Sequence, residues 1–197
     1  MICWQSLTFS MTSIAWLLFA LFFPASLGIL GQVLPPQPLH HQLLALGLFL
    51  LAIDQARMAV VDLEQIAMVK NQTLDPRLTR FYWVTISTIV IELMGFYLAS
   101  RYLGIGILFV LGSQVWFNAI VRIQIDPVQT NPIQEKPTLE KFLLFLANLL
   151  GMLLISLWIA KITPMVIVLS LWAIAIAYAG IKLVQSFPIR LHQDENP

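Results

Sequence analysis

Cysteine is almost absent from this 197-residue chain, and the single one, Cys3, excludes an internal disulfide, a CxxC redox pair and a cysteine-rich metal cage. Charge is scarce as well. Asp, Glu, Lys and Arg make up 11% of the residues and sum to a formal net charge of +1, so there is neither a basic face for nucleic acid nor an acidic tail. Catalytic signatures are missing too: the chain has no HExxH, no GxSxG, no GxGxxG after a strand and no paired-aspartate membrane protease motif. Histidine is confined to His40 and His41 at the start of one apolar segment and His192 near the end of the chain, which supplies no pair at matched depth for a bis-histidine haem. The expectation is a non-enzymatic protein with no metal site, no cofactor and no nucleic-acid partner.

What the chain does have is apolar length. Hydrophobic residues make up 59% of it and the mean hydropathy is +0.84, which places it among integral membrane proteins. A crossing takes ~20 apolar residues. The pattern predicts an all-α, polytopic transmembrane helical bundle in a single domain, 1–197, with about six spans: 12–31, 39–58, 79–101, 105–123, 141–160 and 164–184. A polar loop, 124–137, and a polar tail, 186–197, are expected outside the lipid. The first apolar run has no Lys or Arg ahead of it and no clean small-x-small cleavage site, so it reads as a retained helix rather than a signal peptide, with Met11 as an alternative start.

The second span carries Asp54, Arg57, Asp62 and Glu64 while its helical pattern continues to about Lys70. Opposite these charges lie Ala56, Ala59, Val60, Leu63, Ile66 and Ala67, so the span is expected to extend as an amphipathic juxtamembrane segment. Asp75-Pro76, Thr138 and Thr163-Pro164 are the expected helix starts. Lys70, Arg77, Arg80, Arg122, Lys136, Lys141, Lys182 and Arg190 all fall on one side of a six-span threading, against Arg101 and Lys161 on the other. That bias places both termini on the cytoplasmic side, or the stroma-like side of an internal membrane. Four spans is the alternative threading if a tight hairpin is re-entrant.

One acid stands inside the lipid-length run from Phe81 to Ser100. A carboxylate at mid-bilayer costs ~2.5 to 3.5 kcal/mol on the lenient insertion scale, so Glu92 is expected buried in the bundle, protonated, or both. Thr85, Thr88, Glu92, Gly95 and Ala99 recur at helical spacing as a small and polar stripe that should face protein. The Gly104-Ile105-Gly106 turn makes the next span antiparallel, bringing Gln114 to the depth of Glu92, with Asn118 and Arg122 continuing that face and Asn148 near the depth of Asn118. Two readings follow. Glu92 titrates as part of a proton or cation site with Gln114, Asn118 and Asn148, or it is a neutral acid pinning two helices, at ~0.6 to 2 kcal/mol per contact. A single acid without a second membrane-embedded charge makes a poor relay, which favours the second.

Asp54, Arg57, Asp62 and Glu64 form either a partner-docking face or a solvated helix face with local ion pairs. Trp4, Trp83, Trp116, Trp158 and Trp172 suit interface anchoring. Ala173, Ala177 and Gly180, flanked by Ala175 and Ala179, form a small-residue face expected to pack internally, with Ala147 and Gly151 as its counterpart. The hairpin from Arg80-Phe81-Tyr82-Trp83 through Gln114-Val115-Trp116-Phe117-Asn118 to Ile125-Asp126-Pro127 resembles uncharacterised multi-pass membrane proteins of the cyanobacterial type. The resemblance covers about a third of the chain and implies a plasma or thylakoid membrane, with no activity attached. The expected function is an accessory or assembly subunit acting through other membrane proteins within the lipid bilayer. The alternative is a small ion- or proton-coupled transporter or channel using Glu92.

Overall fold

The computed structural model describes residues 11–70, 75–125, 132–135 and 137–186. Cys3, Trp4, most of the expected polar loop, the tail beyond Ser186 and His192 lie outside the described residues, as do the side chains of Ala179 and Lys182. Six helices are described, α1 (Met11–Gly31), α2 (Leu39–Lys70), α3 (Pro76–Ala99), α4 (Leu103–Ile120), α5 (Thr138–Ile159) and α6 (Pro164–Ser186). Four of them, α2, α3, α4 and α5 from Lys141, are long and apolar enough to cross a membrane. The described apolar stretches of α1 and α6, Trp16–Gly31 and Pro164–Ala177, are shorter.

The centre is the α3–α4 hairpin, on which α1, α2 and α5 pack while α6 rests on α5 and α2. Its two helices touch because side chains are missing where they cross. A Cβ at Gly95 would sit 2.8 Å from Val110 Cγ2 and 3.0 Å from the Gly106 carbonyl oxygen, and one at Gly106 would run into the backbone of Ala99. Small residues at such a crossing let the backbones approach, and dispersion between them supplies association that the apolar lipid does not. Phe96, Ala99 and Val110 are completely buried around it, with Ile29 of α1 and Ala45 and Ala52 of α2 in the same cluster.

At 32 residues, α2 is about 48 Å long. A bilayer core is ~30 Å thick, so α2 is longer than an upright crossing requires. The α2 continuation is held by a second apolar cluster in which Ile66 and Val69 meet Leu78 and Phe81 of α3 and Val121, Ile123 and Ile125 beyond α4.

Those last residues correct the expected loop. Within 124–137 the chain forms part of an antiparallel ribbon, β1 (Ile123–Ile125) paired with β2 (Ile133–Glu135) in the register Ile123↔Glu135, Gln124↔Gln134 and Ile125↔Ile133. The span expected to reach 123 therefore stops as helix at Ile120. The physical reason is alternation: Ile123 and Ile125 turn inward onto the second cluster and Gln124 turns out, a period of two that a helix cannot provide.

The expected helix starts divide. Asp75 caps α3, its Oδ1 accepting from the Arg77 backbone N–H at 2.8 Å with Pro76 in the first turn. Thr138 does not cap α5, because the helix begins one residue earlier than a threonine cap requires and Pro137, with no polar side chain, occupies the capping position. At α6, Pro164 follows Thr163, whose carbonyl accepts from the Ile167 N–H at 3.2 Å.

The small-residue face of α6 is also corrected. Ala173, Ala175, Ala177 and Gly180 are exposed, a Cβ at Gly180 would meet nothing within 4 Å, and Ala147 is exposed too. Gly151 alone is buried, 3.3 Å from Leu111 of α4 when given a Cβ. The reason is that α6 leans on α2 through bulk: Trp172 Nε1 donates to the Leu43 carbonyl at 3.2 Å and its ring covers Gly47.

Candidate functional site

Helical spacing on α3 places Thr85, Thr88, Glu92, Gly95 and Ala99 on one face, and all five are buried. Glu92 is 2% exposed. Opposite it, α4 supplies Gln114, whose Nε2 donates to Glu92 Oε1. The second N–H of the same amide reaches Gln55 Oε1 on α2 at 3.1 Å. Ser113 Oγ lies 3.4 Å from Glu92 Oε1, but its single proton has the closer partner in the Val110 carbonyl at 2.6 Å. Three helices are thus tied together by one amide with both of its donors used.

Gln55 is the residue that sequence reasoning missed. It stands between the charges Asp54 and Arg57, which draw attention to the outward face of α2. Its spacing was the available signal: Ala52 and Ala59, three residues before and four after, are both buried, so Gln55 shares their inward face.

The other expected ligands do not converge on Glu92. Asn118 is buried one turn along α4 and donates to the backbone carbonyl of Gln114 at 2.9 Å, bracing that residue from behind. Asn148 is not brought into the group, because its Nδ2 donates to the Leu144 carbonyl of its own helix at 2.9 Å. Among the described residues no three His, Cys, Asp or Glu side chains come together as a metal-binding set.

The polar groups are distributed unevenly along the bundle. From Glu92 toward the ribbon, α3 carries Thr88 and then Thr85, whose buried Oγ1 has no hydrogen-bond partner, and α4 carries Asn118. Asp62 of α2, half-buried, lies seven residues after Gln55 and so on the same side of its helix. Toward the α3–α4 turn the neighbours are Gly95, Phe96, Ala99, Ile107 and Val110, all buried and apolar. Buried polar side chains therefore lie on the ribbon side of Glu92, where the second apolar cluster closes the end of the bundle.

The four charges expected as a docking face separate. Asp54 and Arg57 pair at 2.9 Å with both side chains more than half exposed, an arrangement worth ~0.3 to 0.5 kcal/mol. Asp62 and Glu64 are half-buried. The reason is angular: Asp62 shares the inward side of α2 with Gln55, which bonds Gln114, while Arg57 lies on the far side of the helix and Asp54 pairs with it there.

At the far end of the hairpins a second polar group forms. Gln32 Nε2 donates to the Ser100 carbonyl at 2.5 Å and to that of Ala99 at 3.3 Å, which turns its Oε1 toward His41 Nε2 at 2.7 Å. The rings of His40 and His41 stand 6.1 and 5.7 Å from the Trp158 ring. A wholly different cavity, ≈ 740 Å³ and lined by aromatic and aliphatic residues of α1 and α2, opens on the apolar flank.

No family model, curated protein or solved structure matches the chain.

Proposed function

We propose that the chain is a non-enzymatic accessory or assembly subunit of a membrane complex, acting through protein partners in the bilayer. The observation that carries this reading is the outward face of the α5–α6 hairpin. In the α5 stretch Lys141–Ile159 only Gly151 and Ile155 are buried, against nine of the 24 residues of α3, and α6 leaves Ala173, Ala177 and Gly180 exposed at helical spacing. Small residues on an open face permit close approach of a partner helix, which bulky lipid-facing side chains would prevent. The proposed threading has six spans, with both termini and the ribbon on the cytoplasmic or stroma-like side of a plasma or thylakoid membrane. The choice of membrane rests on the resemblance of the Arg80 to Pro127 segment alone.

Affinity purification from native membranes tests the proposal. Stoichiometric recovery of one complex is expected, and Ala177→Trp is expected to release it while leaving the chain folded. Recovery of the chain by itself from wild-type membranes would remove the accessory role. Threading is tested by labelling on a Cys3→Ser background. Single cysteines placed at Thr130 and at Pro36 should react from opposite sides, and reaction of both from the same side would overturn the six-span arrangement.

A second reading, proton or cation handling at Glu92, is favoured by one observation, the unpartnered Thr85 hydroxyl buried on the same face of α3. The closed apolar packing beyond Glu92 argues against a through-path. Vesicles containing wild type and Glu92→Gln are expected to pass protons at equal rates; flux in the wild type that disappears in the variant would revive the transporter.

A further inference from the structure

The three short links between helices, 32–38, 100–102 and 160–163, gather at the end of the bundle opposite the ribbon, where they enclose a cavity of ≈ 530 Å³. Its wall carries Lys161, His40 and His41 and the aromatic side chains of Tyr102 and Trp158. None of the chain's 10 Asp and Glu residues falls in these links or on this wall. Lys161, the cation on this wall, therefore stands without the acidic partner that accompanies Arg57 and Arg77 elsewhere.

Unused hydrogen-bond donors line the same space. The first turn of α4, Leu103 to Ile105, forms part of the wall, and the first intrahelical donor is the Gly106 N–H, bonded to the Tyr102 carbonyl at 2.9 Å. The preceding N–H groups have no partner within the helix, and Tyr102 at the capping position provides no side-chain acceptor for them. A helix start facing an acid-free, lysine-bearing cavity attracts an anion.

The rim narrows the class of anion. Leu39, Ile105, Ile159 and Ile162 are all exposed around this end, and Tyr and Trp beside them are the side chains that settle at the level of lipid headgroups. An apolar rim beside an exposed lysine matches a molecule whose charge and chains lie on opposite sides of that boundary. We propose that this cavity holds the phosphate group of an anionic lipid, with the Lys161 ammonium and the His40 imidazole as side-chain donors. The first-turn N–H groups of α4 complete the site, and the acyl chains run over Ile105 and Ile159. His41 contributes by position, since its Nε2 is engaged by Gln32 and its ring backs the Trp158 wall.

Short-chain phosphatidylglycerol, short-chain phosphatidylcholine and inorganic phosphate are titrated onto the full-length chain in detergent micelles, with bound molecules counted by native mass spectrometry. Wild type is expected to hold one phosphatidylglycerol about tenfold more tightly than phosphatidylcholine. Lys161→Gln should weaken it about fivefold, as loss of one interfacial cation predicts. Lys161→Arg should restore binding, and Arg122→Gln, an exposed cation at the ribbon end of the bundle, should leave it unchanged. A folded Lys161→Gln protein, judged by unchanged circular dichroism, that binds like wild type would overturn the proposal. So would equal affinity for the two lipids. Displacement of the lipid by millimolar phosphate would overturn the lipid as the source and reassign the site to a free anion.

Discussion

Gly106→Leu is expected to prevent the bundle from forming, or to lower its stability by more than about 3 kcal/mol, whereas Gly112→Leu on the same helix should be close to neutral. The contrast is geometric. A Cβ at Gly106 meets the backbone nitrogen, Cα and Cβ of Ala99, while one at Gly112 meets nothing within 4 Å. Backbone cannot swing aside as the end of a flexible side chain can, so α3 and α4 would have to separate along their length. Gln114 lies about 12 Å further along α4 at 1.5 Å per residue, and the separation would withdraw its amide from Glu92 and Gln55 together. Thermal unfolding of both variants in micelles is the measurement, and a Gly106→Leu protein melting with wild type would show that the crossing does not hold the bundle.

The second large effect is expected at the acid itself. Glu92→Ala should lower stability by about 2 to 4 kcal/mol, combining the lost contact with a cavity between packed helices. Glu92→Gln should stay within about 1 kcal/mol of wild type, since its carboxamide oxygen can accept the same Gln114 donor at nearly the same volume. A double-mutant cycle between Glu92 and Gln114 is expected to return a coupling of about 0.6 to 2 kcal/mol. Additive behaviour in that cycle would mean that the observed hydrogen bond contributes nothing, and Glu92→Ala would then act through volume alone.

Much of this centre was legible in the sequence because transmembrane helices obey few rules. Spacing of three and four placed Thr85, Thr88, Glu92, Gly95 and Ala99 on one inward face, and a tight reversal brought Gln114 to Glu92; the reversal itself is at 100–102, and Gly104-Ile105-Gly106, expected as the turn, begins α4, where the two glycines serve close packing against Ile159 and Ala99 instead of a bend. Other features depend on contacts that periodicity does not encode. Gln55 comes from a helix whose outward charges dominate its pattern, and only the burial of Ala52 and Ala59 reveals its direction. Asn148 has the right depth but sits on a helix that meets α4 through Gly151 rather than facing Glu92, so depth alone misleads. The ribbon was hidden because three-residue strands are too short for alternation to stand out between prolines and amides. On α6 the small residues look like a packing face in one dimension, yet Trp172 decides which side of the helix turns inward.

The three-residue link between α3 and α4, 100–102, bears on the order in which the fold forms. Closing so short a link costs little chain entropy, so α3 and α4 can pair without help from α5 or α6. Glu92 and Gln114 meet as soon as these two helices do. Lengthening the link would raise the cost of that meeting, so the order of assembly, and not only the finished packing, depends on a turn that carries no chemistry of its own.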